Sequence, residues 1–361
     1  MEIALSARVG GRIFSFMHKL AINTPTCLLA PVARRADNAF DLLQLILIAL
    51  ALAGCAGGSP LLSPEVDYNA LPHSVELVQT PFFPQEDYQC GPAALATVLT
   101  DTGLDVTPDD LVAKVYIPGR RGSLQVELLA ATRSLGRLPY VIQPELSVLM
   151  AEVAAGRPVL VLHNLGLKFA PVWHYAVVIG YDAGNDHFIM RSGTIERRLM
   201  PASRFARTWT ASENWGMVAL RPGELPAMPV QANYLQAAAA LEAVGQTDEA
   251  AAAFNVAVEY WPQSSVALFG LANAYYSGGD LVKAEEIYRL SLELEPDSVA
   301  ILNNLAQVLL DQGRCMEASA ASGRALATPN IHPDLQAVVA ESHAAITSHC
   351  NGNSPAEPGG S

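Results

Sequence analysis

Apolar and polar residues alternate with two different rhythms along this chain, and the change falls near residue 222. Between residues 74 and 222, short runs rich in β-branched residues are interleaved with stretches whose apolar residues recur at helical spacing. The predicted helices cover 107–114, 124–135 and 147–155. The predicted strands cover 138–142, 159–163, 174–181, 187–190 and 215–220. Helices followed by a strand meander predict an α+β domain.

After Tyr234 the sequence becomes Ala-rich and helical throughout, and it repeats. Glycine and alanine recur every 34 residues, at Gly245, Gly279 and Gly313 and at Ala250, Ala284 and Ala318. This is the period of the tetratricopeptide repeat, which this part of the chain resembles. The resemblance implies an all-α solenoid of three helix pairs and a capping helix, whose concave groove holds a peptide or another protein. A spacer or an oligomerisation element is the alternative.

A twelve-residue apolar run, residues 42–53, is too short to span a membrane as a helix. Arg34 and Arg35 precede the run, which is the layout of a secretory signal. The run ends Leu-Ala-Gly-Cys at Cys55, which resembles the lipobox of bacterial lipoproteins. The resemblance implies cleavage after Gly54, several acyl chains on Cys55 and a stable membrane anchor. Ala56 in place of Asp implies the outer membrane, with the protein facing the periplasm.

These patterns divide the chain into six predicted segments. They are a lipoprotein signal peptide (1–54), a tether (55–73), an α+β domain (74–222), a proline-rich linker (223–232), the repeats with their capping helix (233–347) and a disordered tail (348–361).

Charge and cysteine content exclude several classes of protein. The 361 residues include 35 acidic and 22 basic side chains, a net charge of −13, so the chain lacks the basic character of a nucleic-acid binder. Five cysteines in a chain of this length do not form a disulfide framework, although Cys315 and Cys350 remain a possible pair. We predict no metal and no cofactor, because His163, His174 and His187 lack ligand spacing and no phosphate-binding loop occurs.

Two residues of the α+β domain could perform nucleophilic chemistry. Cys90 precedes Gly91 and Pro92 at the predicted start of a helix, where unpaired backbone N–H groups favour a thiolate. His174 begins an apolar strand 84 residues later and could serve as the base. A cysteine on a helix and a histidine on a strand is the arrangement of papain-like sites, where the two meet only in the fold.

Residues 74–222 resemble the bacteriocin-processing cysteine peptidases that cut after double-glycine leaders. The resemblance depends on a Gln before Cys-Gly-Pro-Ala-Ala and on His-Tyr-Ala-Val-Val-Ile-Gly. It implies a papain-like fold in which Cys90 is the nucleophile, His174 the general base and Gln85 the side-chain donor of the oxyanion hole. The transporters of this family carry membrane spans and an ATPase, and this chain has neither motif.

The third member of the family's site, an Asp or Asn that orients the histidine, is replaced here. Ser192 occupies the matching position in the strand Phe-Ile-Met-Arg-Ser-Gly. Its hydroxyl could orient the imidazole but would not stabilise an imidazolium as a carboxylate does. Two hypotheses therefore stand: an envelope cysteine peptidase that acts on a protein or peptide recruited by the repeats, or an inactive peptidase fold that serves as an adaptor in secretion or envelope assembly.

Overall fold

The computed structural model describes residues 70–85, 89–329 and 331–352, together with two short strands near the N-terminus. These strands, β1 (Leu5–Val9) and β2 (Arg12–Phe16), pair as an antiparallel hairpin. Cys55, the apolar run before it and residues 55–69 of the predicted tether lie outside the described residues. Within the described part of the chain, no helix is both long and apolar enough to span a bilayer.

A seven-stranded antiparallel sheet forms the centre of the N-terminal domain. Its strands are β3 (Ser74–Glu76), β4 (Leu138–Val141), β5 (Val159–Asn164), β6 (Trp173–Asp182), β7 (His187–Ser192), β8 (Ile195–Pro201) and β9 (Gly216–Leu220). They follow the order β4-β9-β5-β6-β7-β8, and β3 pairs with the C-terminal end of β6.

Five α-helices cover this sheet. They are α1 (Cys90–Asp101), α2 (Pro108–Val115), α3 (Gln125–Ser134), α4 (Leu146–Ala154) and α5 (Ala202–Thr210), with a 3-10 turn at Pro118–Arg120. Because side chains alternate along β6, Val177 packs toward α1 and Val178 packs toward the opposite face. Helix α1 is buried along most of its length, so the sheet and its flanking loops fix the position of Cys90.

The predicted helices and strands of this domain are present within a few residues of their expected bounds. The sequence did not predict β8 or α5. Strand β8 lies at the edge of the sheet and exposes most of its side chains, Glu196 and Arg197 among them, so it lacks an apolar pattern. Helix α5 follows β8 without a connecting loop, and arginines interrupt its apolar residues.

The described C-terminal part consists of consecutive helices joined by short turns. They are α6 (Gln231–Ala243), α7 (Thr247–Tyr260), α8 (Ser265–Ser277), α9 (Leu281–Leu294), α10 (Val299–Asp311), α11 (Cys315–Ala327) and α12 (Pro333–Gly352). Gly245, Gly279 and Gly313 each take a positive φ in the turn between the two helices of a pair, which explains their 34-residue spacing. The repeated alanines at 250, 284 and 318 are fully buried at the helix contacts.

The proline-rich segment between the two parts is packed rather than free. One hydrophobic cluster runs from Leu138 and Tyr140 of the sheet to Tyr234 and Leu235 of α6. The backbone amide of Val230 donates to the Tyr140 hydroxyl at 3.1 Å. The predicted linker of residues 223–232 is therefore a seam between two parts that share one core, and its last two residues already belong to α6.

The last helix, α12, extends five residues beyond the predicted end of the capping helix. Residues 348–352 are helical, so the predicted disordered tail is wrong for this part. The physical reason is a disulfide between Cys315 at the start of α11 and Cys350 near the end of α12, with Cα atoms 5.5 Å apart. The sequence left this pairing open.

Candidate active site

Three of the predicted site residues face one cleft. Gln85, Cys90 and His174 line a cavity of about 750 Å³ at the end of the sheet where β6 begins. The remaining wall consists of Arg120, Arg121, Gly122, Ser123, Leu124, Pro171, Val172, Trp173, Tyr175 and Gly193. Residues far apart in the chain thus meet at the place that the sequence motifs indicated.

Cys90 is the first residue of α1, and it is half-buried. Burial raises the pKa of its thiol, while hydrogen bonds from the backbone amides of Tyr175, Gly91 and Cys90 itself act in the opposite direction. The sequence predicted that the helix N-terminus would favour a thiolate. These amides do favour it, but the burial of the sulfur outweighs them.

Gly91 allows the start of α1 to approach the opposite wall of the cleft. A Cβ at this position would collide with the side chain of Ser123, so a larger residue would push the helix away. The hydroxyl of Tyr175 donates to the carbonyl of Ser123 at 3.4 Å. The Gly after the cysteine is thus required by packing within the cleft.

His174 is held by the residue predicted to replace the acid. Its Nε2 lies 2.9 Å from Ser192 Oγ, and Ser192 is buried on the neighbouring strand β7. Burial and then the charge of Arg198 lower the pKa of His174 to about 4. The imidazole is therefore neutral at neutral pH. In the described structure it makes no hydrogen bond with Cys90 Sγ, although both side chains face the same cleft.

The turn after Ser192 also holds the segment that contains Gln85. The backbone amide of Gln85 donates to the carbonyl of Gly193 at 3.1 Å. The buried guanidinium of Arg191 donates to the carbonyls of Val78 and Thr80, upstream in the same segment. Three consecutive residues of one strand and its turn thus fix both His174 and Gln85.

Two family models match this chain, one in each part. Residues 77–217 match the model of the Peptidase C39 like family, and residues 235–299 match the tetratricopeptide repeat. The chain has a C39-like peptidase domain followed by tetratricopeptide repeats. No curated protein matches it.

Solved structures resemble each part separately. A putative C39-like peptidase from Bacillus anthracis has 19% identity and a TM-score of 0.34, and the match covers 41% of this chain and 98% of that one. The peptidase domain of Streptococcus ComA, a bifunctional ABC transporter, has 21% identity, a TM-score of 0.33 and coverages of 40% and 99%. The Yersinia enterocolitica type III secretion chaperone SycD, bound to a peptide of the translocator YopD, has 18% identity, a TM-score of 0.30 and coverages of 32% and 91%.

The C39-like domain contains a second buried histidine beside the site. His163 on β5 lies directly opposite His174 on β6, and its Nδ1 is 2.8 Å from the hydroxyl of Thr208. Burial, with smaller contributions from the charges of His174 and Arg198, lowers the pKa of His163 to about 3. Among the described residues, no group of three or more His, Cys, Asp or Glu side chains could hold a metal ion.

Two residues of the C39-like domain that shape the site were not predicted from the sequence. Arg191 lies on β7, next to β6, and holds the segment that contains Gln85. Arg198 lies on β8, one strand further out, and its charge acts on His174. Only the order of strands in the sheet brings them to the site. One feature of the sequence could have indicated Arg191: it is an arginine directly before Ser192, inside an otherwise apolar strand. A charge at a buried strand position implies a specific partner.

Proposed function

We propose that this protein is a cell-envelope cysteine peptidase that is anchored by lipid on Cys55 and cuts a protein or peptide substrate through Cys90 and His174. The observation that supports this proposal best is the meeting of Gln85, Cys90 and His174 in one cleft, with Ser192 on the imidazole. The match of residues 77–217 to a peptidase-like family points to the same chemistry.

The proposed reaction begins with proton transfer from the Cys90 thiol to Nδ1 of His174 as the sulfur attacks the substrate carbonyl carbon. For this, Nε2 must carry the other proton and donate it to Ser192 Oγ. The oxyanion accepts hydrogen bonds from the Gln85 side chain and the Cys90 amide, a contribution of about 3 kcal/mol per donor in comparable sites. The C–N bond breaks, His174 protonates the leaving amine, and water hydrolyses the thioester. Transfer of the acyl group to another amine is the related outcome.

The protonation states of the pair decide how this reaction starts. Burial raises the thiol pKa and lowers the imidazole pKa to about 4, so both groups are neutral in the resting site. His174 then removes the proton during attack, as a general base, rather than before it. The rate should therefore rise with pH around 4, as His174 loses its proton, and stay level through the neutral range.

The repeats supply a site for a protein partner or the substrate in this proposal. Their match to the tetratricopeptide repeat and the stacked pairs α6 to α11 support a groove of this kind. The lipobox-like sequence ending at Cys55 supports the anchor, and the Cys315–Cys350 pair supports an oxidising compartment. The proposed location is the outer membrane, facing the periplasm.

An inactive adaptor is the second candidate function. Ser192 in place of an acid favours it, as does the absence of a Cys90–His174 hydrogen bond among the described contacts. In that case the C39-like domain would bind its partner without cutting it, and the repeats would hold a second protein in secretion or envelope assembly.

Alkylation of Cys90 separates these two functions. The rate of iodoacetamide modification would be followed by mass spectrometry from pH 4 to 9 in the wild type, His174→Ala and the matched control His187→Ala, with Cys90→Ala as the blank. A functional base predicts a rate at pH 7 at least tenfold lower in His174→Ala and unchanged in His187→Ala. A thiol that is indifferent to His174 at every pH would favour the adaptor.

A further inference from the structure

The loop between β5 and β6 exposes a contiguous group of apolar side chains to solvent. Its side chains at Leu165, Leu167, Phe169, Val172 and Trp173 are exposed, with Phe169 at 86% and Leu167 at 60%. A single exposed apolar residue needs no explanation, whereas a contiguous group of this kind marks a surface that meets a partner. We define these residues, 165–173, as the apolar finger.

The apolar finger is ordered by its own hydrogen bonds. The side-chain oxygen of Asn164 accepts from the backbone amides of Gly166 and Val172, both at 3.0 Å. The amide of Leu165 donates to the carbonyl of Val172, and Leu167 and Ala170 pair across the tip. A rigid hairpin therefore presents these side chains outward, and little ordering entropy is lost when a partner covers them.

The tip of the finger does not line the proposed catalytic cleft. Only Pro171, Val172 and Trp173 line the cleft, whereas Leu165, Leu167 and Phe169 lie outside it. A peptide bound at Cys90 would leave the tip uncovered. A convex apolar tip fits the interfacial region of a bilayer, which adapts to any protruding shape, better than the rigid surface of a folded protein.

The charge around the finger also suits a membrane. No Asp or Glu occurs between Glu152 and Asp182, although the whole chain carries a net charge of −13. The tip includes Lys168, and the facing wall of the cleft, which has no acidic residue between Asp110 and Glu127, includes Arg120. The cations Lys168 and Arg120 and the exposed ring of Phe169, in two sequence segments that contain no acidic residue, match an anionic phospholipid surface.

We propose that the apolar finger inserts Leu167 and Phe169 into the interfacial region of an anionic phospholipid bilayer and so holds the cleft of the C39-like domain against the membrane. The contact is independent of the proposed peptidase reaction and of a lipid on Cys55. The 18 residues between Cys55 and Ser74 could reach roughly 60 Å. Strand β6, which separates β3 from the finger, is about 30 Å long, so an anchor and an inserted finger can coexist.

The test uses the full chain with Cys55→Ala, so that no acyl chain attaches. It is mixed with vesicles of phosphatidylglycerol and phosphatidylcholine, whose chains carry bromine to quench nearby tryptophan. The probe is the fluorescence of Trp173. Its contribution is the difference in quenching between the protein with Trp173 and the Trp173→Phe variant. Binding through the apolar run at 42–53 would leave this local signal unquenched.

We expect the vesicles to quench Trp173 fluorescence in the wild type. In the double variant Leu167→Ser/Phe169→Ser, the vesicle partition constant measured from this quenching should be at least tenfold lower. Met316→Ser is the matched control, because Met316 is 89% exposed on the repeats, and it should bind as the wild type does. Lys168→Gln should weaken binding about fivefold on anionic vesicles and leave zwitterionic ones unchanged.

Two outcomes would overturn the proposal. One is equal Trp173 quenching in the wild type and the double variant. The other is unchanged vesicle binding with weaker binding or cleavage of a peptide, which would assign the finger to substrate recognition. All substituted side chains of the double variant and its control are exposed, so the folded state tolerates the changes.

Discussion

The C39-like domain and the repeats bury different kinds of polar group. In the described residues of the domain, Glu152, His163 and Arg191 are buried. The buried polar residues of the described repeats are all amides or hydroxyls, namely Ser264, Asn273, Ser291, Asn303, Asn304, Ser322 and Ser342. Among the described residues, the domain thus buries groups that titrate in acid, and the repeats do not. Acid should therefore act on the domain, whereas reduction should act on the repeats.

The largest effect is expected from breaking the disulfide. The double variant Cys315→Ser/Cys350→Ser opens a loop whose ends are 35 residues apart, which should lower the free energy of unfolding of the repeats by about 3–4 kcal/mol. Hydrogen exchange would show the loss in α11 and α12, and reduced wild-type protein should match the variant. Equal loss of protection in the sheet of the C39-like domain would contradict a separate redox response of the repeats.

The next effect is the acid sensitivity of the C39-like domain through His163. Its folded pKa is about 3 against about 6.5 when unfolded, so its contribution is complete above pH 6.5 and falls as the pH drops toward 3. Each pH unit below 6.5 should cost about 1.4 kcal/mol. Between pH 7.5 and pH 4, the free energy of unfolding should fall by about 3 kcal/mol less in His163→Asn than in the wild type. Denaturant unfolding at each pH measures it.

Glu152 should have the opposite effect on the pH dependence of stability, and it therefore provides a control. Burial raises the pKa of this carboxyl despite its ion pair with Arg157, so its contribution to stability increases as the pH falls. Glu152→Gln should make the domain more acid-sensitive, whereas His163→Asn makes it less so. Parallel changes in both variants would show that general charge, rather than these buried groups, sets the acid response.

The smallest effect concerns the site itself. Ser192→Asp places a carboxylate at the Nε2 of His174, which should raise the pKa of this imidazole by about 1–2 units. The rising limb of the pH profile of Cys90 alkylation should then move to higher pH, because His174 accepts the thiol proton only when its imidazole is neutral, while Ser192→Ala should slow alkylation without this shift. An unchanged profile in Ser192→Asp would mean that His174 does not control the thiol.

The sequence predicted the repeats more completely than the C39-like domain. Each repeat contacts only its neighbours, so the spacing of Gly279 and Ala284 already contains the packing. In the C39-like domain the motif around Cys90 and the strand at His174 predicted that the two would meet, and the cleft brings them together. Their catalytic roles, and the lipid on Cys55, stay predictions.

What the sequence could not show depends on long-range packing. The direction of the Cys90 pKa follows from how deeply the sulfur is buried, which no local pattern contains. Arg198 reaches His174 only because β8 lies at the edge of the sheet beyond β7. The exposure of Phe169 likewise depends on long-range packing, because no element among the described residues covers the β5–β6 loop.

The seam at residues 223–232 has a consequence for how the two halves work together. A chain truncated at residue 222 would expose the apolar face around Leu138, Tyr140 and Leu220 to water, so we expect the C39-like domain alone to be less soluble than the full chain. The shared core also fixes the distance from the repeats to Cys90. Under the proposed function, a substrate held by the repeats would reach Cys90 only if the segment between the two contacts were long enough to span this distance.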